Sequence, residues 1–201
     1  MVNNYKKIMK VTQRLMSEKG YHGTSIQMIA AKIGITKSTI IHHFKNKEGL
    51  LLAILEAYVP PATERFFEIV KDENISGTEK LKKFFRFHLK EAIKNKDVFS
   101  LYIHESRYFG EHNRKVFLKT KQAYTGMVAQ IVRQVQMENK QVFKELEPKV
   151  IANAILGMIN YTIYWYAKGG KLNIDSIADH YYQIVMGRFD FKTVPDILKP
   201  H

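Results

Sequence analysis

The sequence contains no cysteine among its 201 residues. That absence excludes disulfide bonds, thiolate nucleophiles and cysteine-type zinc sites, and it is compatible with a reducing compartment. The chain also lacks any apolar run near the ~20 residues that a membrane-spanning helix requires, and its first residues are polar and basic, unlike a signal peptide. We therefore expect a soluble cytoplasmic protein that has no membrane partner.

Sequence motifs of common enzymes are missing as well. The chain has no P-loop, no dinucleotide-binding fingerprint and no nucleophile elbow. It has eight histidines, but neither the pair His42 and His43 nor the pair His104 and His112 has the spacing of a zinc-binding helix. We expect a protein that is not an enzyme and that has neither a metal site nor a cofactor.

Acidic residues are scarce near the N-terminus. The whole chain has 32 Lys and Arg against 19 Asp and Glu, which gives a net charge of +13. Residues 1–50 contain nine of these basic residues, and their only acidic residues are Glu18 and Glu48. This excess of positive charge indicates a polyanionic partner, although lysine-rich surfaces also keep proteins soluble.

The segment from Thr24 to Leu50 has the pattern of two short helices followed by a third. Thr24 and Gln27 have the spacing of a capping box, which predicts a helix start near Ser25. Four apolar residues at helical spacing follow, namely Ile26, Ile29, Ala30 and Ile33. Gly34 is expected to end this helix, because a residue without Cβ adopts the left-handed conformation at little cost.

A second helix is predicted to begin after Thr36, with Ile40 and Phe44 on its buried side. Its other faces carry polar side chains, those of Lys37, Ser38, Thr39, His42 and His43. Asn46 is predicted to cap a third helix. Two short helices joined by a tight glycine-containing turn, the second one polar and basic, are typical of the motif that enters the DNA major groove.

Apolar residues at helical spacing continue through the rest of the chain without an alternating strand pattern. The sequence predicts a helix from about Asn4 to Lys19 and another from Lys47 to Val59, which ends at Pro60-Pro61 because proline disrupts a helix interior. Further helices are predicted at 61–71, 78–95, 97–109, 112–139, 148–168 and 174–189. The predicted fold class is all-α, with an N-terminal three-helix helix-turn-helix domain at residues 1–59 and a C-terminal helical bundle at residues 60–201.

Spaced residues between about positions 5 and 58 resemble the DNA-binding domain of the tetracycline-repressor (TetR) family. They are the run Gly20-Tyr21-His22-Gly23-Thr24-Ser25-Ile26, then Ile29-Ala30, Ile33-Gly34-Ile35-Thr36, Thr39-Ile40, His43-Phe44 and Lys47-Glu48 with Leu50. Two positions depart from the family pattern. Ser38 stands where the family usually has glycine, and Ile41 stands where it usually has a tyrosine that contacts a DNA phosphate.

The resemblance implies a homodimeric transcriptional regulator, a repressor that binds a palindromic operator in double-stranded DNA and is released by a small lipophilic effector. Direct base or groove contacts are predicted for Lys37, Ser38, Thr39 and His42. Phosphate contacts are predicted for Thr24, Ser25, Thr36, His43 and Lys47, since hydroxyl groups, helix N-termini and a lysine suit that role.

The last two predicted helices, 148–168 and 174–189, carry apolar residues on more than one face. Such a helix must pack on two sides, and a second subunit can supply the second partner. Dimerisation through these helices is therefore predicted. A fully buried central helix in a monomer would show the same pattern. In the last helix the apolar residues are Ile174, Ile177, Ala178, Tyr181, Tyr182, Ile184, Val185 and Phe189.

A second resemblance concerns the C-terminal part and the class of effector. Leu156-Gly157, Ile159-Asn160, Trp165-Tyr166, Lys168 to Leu172 and Ile177-Ala178-Asp179 are similar to TetR-type regulators of fatty-acid and sterol catabolism, which respond to acyl-CoA thioesters. An acyl-CoA or a fatty acid is therefore the expected effector. The aromatic-rich middle helices are expected to supply its pocket between helices. The predicted ligand-binding residues are Phe84, Phe87, Tyr102, Arg107, Tyr124, Met127, Tyr161 and Trp165.

Two alternative functions fit the same sequence. One is a repressor of the same fold that senses multiple drugs, which the small number of acidic residues in the middle helices disfavours. The other is a helical interaction module that binds nucleic acid through its basic N-terminus and has no small-molecule effector.

Overall fold

The structure, a computed structural model, describes residues 2–187, with side chains from residue 4 onward. This range forms nine α-helices and one 3₁₀ turn and contains no strand, which confirms the predicted all-α class. The helices are α1 (Val2–Gly23), α2 (Ile26–Ile33), α3 (Lys37–Phe44), α4 (Lys47–Lys71), α5 (Gly77–Lys94), α6 (Lys96–His104), α7 (Glu111–Glu138), α8 (Pro148–Trp165) and α9 (Ile174–Val185), and the 3₁₀ turn is Glu105–Tyr108. None of these described helices is long and apolar enough to cross a bilayer.

Helices α1, α2 and α3 form a helix-turn-helix unit with its own apolar core. The buried residues of this core are Ile8, Ile29, Ala30, Ile33, Ile40, Phe44 and Leu50. Gly34 ends α2 in the left-handed conformation, with φ of 79° and ψ of 37°, as predicted. Gly20 has φ of 73° and interrupts α1, so that its last residues turn towards α2. These two glycines occupy backbone conformations that other residues rarely adopt.

The start of α2 corrects the predicted cap by one position. Ser25 is the N-cap residue, and its hydroxyl accepts a hydrogen bond from the Met28 backbone N–H at 3.1 Å. Thr24 instead donates its hydroxyl hydrogen to the Gly20 carbonyl at 3.0 Å. The prediction of a capping box formed by Thr24 and Gln27 is therefore wrong. Thr24 and Ser25 both suit a helix start, but the Thr24 hydroxyl group is bonded to the Gly20 carbonyl and Ser25 caps the helix.

Helix α4 corrects the prediction that Pro60-Pro61 ends a helix. It runs without interruption from Lys47 to Lys71 and includes both prolines and the segment predicted as a separate helix. A proline inside a helix costs about 3 kcal/mol, but α4 is held on both sides of the pair. Tyr58 donates a hydrogen bond to the Glu91 carbonyl at 3.0 Å, and Phe66 is fully buried. The division into two domains at residues 59 and 60 stays a prediction.

The remaining helices form a bundle around α5, which contacts α4, α7, α8 and α9. The largest fully buried side chains of the bundle include Phe66 of α4 and Leu81, Phe84, Phe85 and Leu89 of α5. The predicted helix 97–109 is divided into α6 and the 3₁₀ turn, and α8 ends at Trp165 because Tyr166 is extended, with ψ of 122°. α9 ends at Val185, and Phe189 lies outside the described residues.

Candidate DNA interface and effector cavity

Helix α3 presents a polar surface on the outside of the helix-turn-helix unit. Its Ile40 and Phe44 side chains are buried against α1 and α2, and they fix which side faces outward. Lys37, Ser38 and His42 are exposed on that outer side. The predicted recognition helix thus displays one charged group, one hydroxyl and one imidazole to a partner, all three from the predicted set of groove contacts.

Three hydroxyl groups cluster at the N-terminus of α3. The Thr36 Oγ1 atom accepts a hydrogen bond from the Thr39 backbone N–H at 3.3 Å, and it lies 2.7 Å from the Ser38 Oγ atom and 2.9 Å from the Thr39 Oγ1 atom. A helix N-terminus carries partial positive charge and free N–H groups, so it attracts phosphate. Thr36 therefore lies where a DNA backbone phosphate is favoured, and the hydroxyl groups of Ser38 and Thr39 lie beside it.

Two of the predicted phosphate contacts have a different role in the structure. The Thr24 side chain is only 1% exposed and bonds to the Gly20 carbonyl, so the prediction that its hydroxyl contacts a phosphate is wrong. The Lys47 ammonium donates to the carbonyls of Tyr21 at 2.9 Å and Thr24 at 3.0 Å, where it fastens α4 to the end of α1. One of its three N–H groups remains for a phosphate. Ser25 is exposed as predicted.

The other end of α3 contains aromatic contacts. His43 is half-buried, with its ring 6.2 Å from the Tyr5 ring, and Tyr5 stacks on Phe44 at 4.8 Å. The Tyr5 hydroxyl and His43 thus lie beside the exposed surface of α3. Ile41, at the position where a tyrosine was expected from the resemblance, is 40% exposed and offers an apolar contact in its place.

A cavity of about 260 Å³ lies in the bundle between α4, α5, α6, α7 and α8. Its lining residues are Tyr58, Val59, Ala62, Thr63, Phe87, His88, Glu91, Phe99, Tyr102, Lys121, Tyr124, Thr125, Asn153, Leu156, Gly157 and Asn160. Most of these side chains are apolar or aromatic. Glu91 is the only acidic residue among them, and its carboxylate is paired with the Arg65 guanidinium at 2.7 Å.

A chain of polar groups crosses the inner wall of the cavity. The His88 Nδ1 atom lies 2.8 Å from the Tyr124 hydroxyl, and the His88 Nε2 atom lies 3.2 Å from Asn160 Oδ1. His88 is only 6% exposed, and this burial lowers its pKa to about 4, against a smaller opposing effect of the bond to Asn160. Burial also raises the pKa of Tyr124 well above its usual value. All three groups are therefore neutral near pH 7.

The structure separates the predicted ligand-binding residues into two sets. Phe87, Tyr102 and Tyr124 line the cavity as predicted. The others lie elsewhere: Phe84 and Met127 belong to the bundle core, Arg107 is exposed on the 3₁₀ turn, and Tyr161 and Trp165 are exposed on α8. Those five residues do not line this cavity, because aromatic or basic character does not tell which side of a helix faces it, and their contact with a ligand stays a prediction.

Several cavity residues were missed by sequence reasoning, most importantly His88 and Asn160. A signal for Asn160 was present in the sequence. Asn153, Gly157 and Asn160 are separated by four and three residues, so α8 carries a stripe of small and polar residues on its cavity side. No comparable signal marked His88, whose burial depends on helices that are distant in the sequence.

Helix α8 also exposes apolar residues along an adjacent face. We call this set the α8 stripe, and it consists of Val150, Ala154, Gly157, Tyr161 and Tyr164. Their spacing of four and three residues is that of a helix–helix seam. Val150 and Tyr161 are each 65% exposed, which is unusual for apolar side chains at this spacing on a single helix.

Comparison with known proteins identifies the family. The family model for the tetracyclin repressor-like C-terminal domain matches residues 74–189, more than half of the chain. The chain belongs to the TetR family. A second model, described as bacterial regulatory proteins of the tetR family, matches residues 8–54. The predicted resemblance and the predicted helix-turn-helix are therefore confirmed, and the protein is a DNA-binding transcriptional regulator rather than an enzyme.

Individual relatives agree with the predicted branch of the family. The transcriptional repressor KstR2 of Mycolicibacterium smegmatis is 22% identical over 90% of this chain and 87% of its own length. The fatty acid metabolism regulator of Bacillus subtilis is 21% identical over 90% and 93%, respectively. The crystal structure of AibR, in complex with isovaleryl coenzyme A and operator DNA, is 27% identical with a TM-score of 0.79, covering 92% of this chain and 99% of that chain.

In this TetR-family protein, the Glu48 carboxylate connects the start of α4 to the start of α7 through hydrogen bonds. The Glu48 Oε1 atom accepts hydrogen bonds from the Gly110 backbone N–H at 3.0 Å and from the Asn113 side-chain amide at 2.7 Å. The carboxylate thereby lies at the N-terminus of α7, where negative charge is favoured. Lys47 on the preceding position is bonded to α1, so the first turn of α4 is tied to the helix-turn-helix unit and to the bundle.

The buried neutral His88 predicts a pH dependence of stability. Its pKa is about 4 in the folded state and about 6.5 in the unfolded chain. Between these values the unfolded state binds the extra proton, so the free energy of unfolding falls as the pH falls, by about 2 kcal/mol between about pH 7 and pH 5. Urea unfolding at the two pH values measures this. The His88→Gln variant controls for the other histidines, and an equal loss in that variant would contradict the assignment.

Proposed function

We propose that the protein is a dimeric repressor that binds a palindromic operator through α3 of each protomer and leaves it when an acyl-CoA thioester occupies the bundle cavity. The observation that carries this proposal is the continuity of α4. Its first turn is bonded to α1 by Lys47, and its middle turns supply Tyr58, Val59, Ala62 and Thr63 to the cavity. A ligand that displaces α4 therefore also moves the helix-turn-helix unit.

Release from DNA requires the effector to favour one arrangement of α4 over the other. A ligand shifts an equilibrium only by the difference between its affinities for the two states. In the proposed mechanism the occupied cavity pushes α4 outward at Tyr58 and Ala62. The bonds of Glu48 to α7 then stretch or break, and the distance between the two α3 helices of the dimer no longer matches the operator.

The chemistry of the cavity supports a lipophilic acyl group. Its walls are mostly aromatic and aliphatic, and its carboxylate, Glu91, is already paired with Arg65, which disfavours a cationic drug. The volume of about 260 Å³ lies just below the range of roughly 300–1,000 Å³ typical of ligand pockets, which favours a short or branched acyl chain. Lys121 is exposed at the rim, where it can meet a CoA phosphate. AibR, similar in fold, holds isovaleryl coenzyme A.

The two α3 helices are proposed to enter successive major grooves on one side of the DNA. Two-fold related helices bind half-sites whose centres are about 34–36 Å apart, or a multiple of that spacing. We assign groove contacts to Lys37, Ser38, Thr39 and His42. Phosphate contacts are assigned to Ser25, Thr36 and His43, with a smaller contribution from the remaining N–H group of Lys47.

The dimer is proposed to form through the α8 stripe together with α9. The stripe is apolar, exposed and regularly spaced, and a second copy would cover it in a four-helix arrangement. Ile184 on α9 is also an exposed apolar residue that a second copy could cover. The proposal is that Tyr161, in the second half of the stripe, lies near the two-fold axis.

Filling the cavity tests the effector part of the proposal. The Leu156→Trp variant places an indole in the cavity. Relative to the variant's own operator affinity without ligand, we expect half-release to need at least about tenfold more acyl-CoA than in the wild type, which corresponds to a loss of about 1.4 kcal/mol. Fluorescence anisotropy of labelled operator measures both quantities. The matched control is Leu118→Trp, an exposed position on α7 outside the cavity. The effector assignment is contradicted if no acyl-CoA releases the wild-type protein.

A further inference from the structure

We propose that the chain of His88, Tyr124 and Asn160 selects effectors that place a neutral carbonyl oxygen at the inner wall of the cavity. The chemical class is that of acyl thioesters and other uncharged carbonyl compounds, as opposed to free carboxylic acids and amines. This inference rests on the proposed function of the cavity as the effector site. It adds the chemical group that is recognised and the residues that recognise it.

The three residues come from three different helices and meet at one place. His88 lies on α5, Tyr124 on α7 and Asn160 on α8, and all three line the cavity. Their hydrogen bonds measure 2.8 Å and 3.2 Å. The aromatic rings of Phe84 and Phe99 each lie 5.4 Å from the imidazole ring and contact it edge to face. The three side chains are thus held by hydrogen bonds and by ring contacts, and all three face the cavity.

The hydrogen-bonded groups of His88, Tyr124 and Asn160 keep at least one donor free for a ligand. A neutral imidazole has one N–H donor and one acceptor nitrogen. If the Tyr124 hydroxyl donates to Nδ1, the Nε2–H donates to Asn160 and the amide N–H groups of Asn160 are left for the cavity. If Nδ1–H donates to Tyr124, the amide of Asn160 turns to donate to Nε2, and the tyrosine hydroxyl hydrogen is left. Each arrangement presents at least one donor to the ligand.

The charge of the inner wall decides which acceptor fits that donor. His88 is neutral because burial lowers its pKa, and the carboxylate of Glu91 is balanced by Arg65. Lys121 is exposed at the rim and not on the inner wall. A carboxylate at the inner wall would lose its hydration without gaining a counter-charge, whereas a carbonyl oxygen needs only one hydrogen bond. A neutral carbonyl is therefore the preferred group.

The decisive test compares two ligands that differ only in the carbonyl. The full-length wild-type protein is titrated by calorimetry with a short branched acyl-CoA and with the matching S-alkyl-CoA thioether, which has a methylene group in place of the carbonyl. We expect the thioester to bind at least about tenfold more tightly, as a hydrogen bond from a buried donor predicts. The free carboxylic acid and the amine of the same chain are expected to bind more weakly than the thioester.

Variants test whether the hydrogen-bonded residues His88, Tyr124 and Asn160 cause the preference for the thioester over the thioether. The double variant Tyr124→Phe with Asn160→Leu removes both donors, so we expect it to bind thioester and thioether with equal affinity. Tyr181→Phe is the matched control, because Tyr181 lies on α9 outside the cavity lining and its hydroxyl group is bonded to the Thr162 hydroxyl group at 2.9 Å. The infrared band of an isotope-labelled thioester carbonyl provides a readout that a purely structural role would not change. This band should lie at lower frequency when the thioester is bound to the wild type or to Tyr181→Phe than when it is bound to the double variant.

The outcomes separate this inference from the proposed function. If the thioester and the thioether bind equally to the wild type and both release operator, the inference is overturned and the proposed function survives. If no CoA compound binds but the nucleotide-free N-acetylcysteamine thioester binds better than its thioether, the inference stands and the acyl-CoA proposal fails. Tighter binding of the acid or the amine, or no binding of any carbonyl probe, overturns the inference regardless of the DNA result.

Discussion

Replacing Lys37 by alanine is expected to lower the affinity for the operator by at least about 30-fold. One lost base contact costs about 1–3 kcal/mol, and a two-fold dimer loses the contact twice, which gives about 2–6 kcal/mol in total. Lys37 is exposed in the first turn of α3, and the hydroxyl groups of its sequence neighbours Thr36 and Ser38 are bonded to each other at 2.7 Å, so they do not replace a lost ammonium group. Fluorescence anisotropy with an operator fragment measures the change.

A salt titration in the same experiment distinguishes base contacts from phosphate contacts. If Lys37 contacts a base, the slope of the logarithm of affinity against the logarithm of salt concentration stays near the wild-type value. If it contacts a phosphate, the slope falls by about one per protomer. Lys140→Ala is the matched control, since it removes an exposed lysine that follows the C-terminal end of α7, whereas the start of α7 contacts Glu48 of α4. Equal losses in the two variants would show that α3 does not form the interface.

Introducing a carboxylate at Tyr161 is expected to dissociate the proposed dimer. Tyr161 is 65% exposed in the single chain and lies within the α8 stripe. In Tyr161→Glu each protomer would bury an unpaired charge, which costs about 3 kcal/mol or more, so the dimer is expected to weaken at least about 100-fold. Sedimentation velocity measures the oligomeric state, and operator binding should fall with it because a monomer contacts only one half-site.

The matched control for this variant is Val116→Glu. Val116 is an apolar residue on α7 with 55% exposure, outside the α8 stripe, so the same change there should leave the dimer and operator affinity unaltered. Unchanged sedimentation of Tyr161→Glu would show that the dimer forms elsewhere. Circular dichroism checks that both variants keep their helical fold.

The helix-turn-helix unit was predictable because its determinants are local. The cap at Thr36, the left-handed Gly34 and the apolar stripe of α2 each depend on residues within one or two turns, and the structure has all of them. Thr24 and Ser25 show the limit of this approach. Either hydroxyl satisfies the capping rule, and the choice between them was made by the Gly20 carbonyl, which is free because α1 is interrupted there.

The bundle was less predictable because its determinants are tertiary. The rule that prolines end helices failed at Pro60-Pro61, where contacts with α5 and with the bundle core outweigh the local cost. The cavity residues were only partly found for the same reason. Phe84 and Phe87 lie three positions apart on α5, yet one is in the core and the other lines the cavity. The sequence alone does not show on which side the empty space lies.

The uninterrupted course of α4 also sets a rule for engineering hybrid regulators from this chain. A fusion joint at residues 59 and 60 would fall inside a 25-residue helix and would separate the cavity residues Tyr58 and Val59 from Ala62 and Thr63. Exchanging everything before residue 72 keeps that helix intact, although it transfers four cavity residues together with the DNA specificity. A change of the helix-turn-helix unit made in this way therefore also changes part of the proposed effector cavity, so the two parts cannot be exchanged as separate modules.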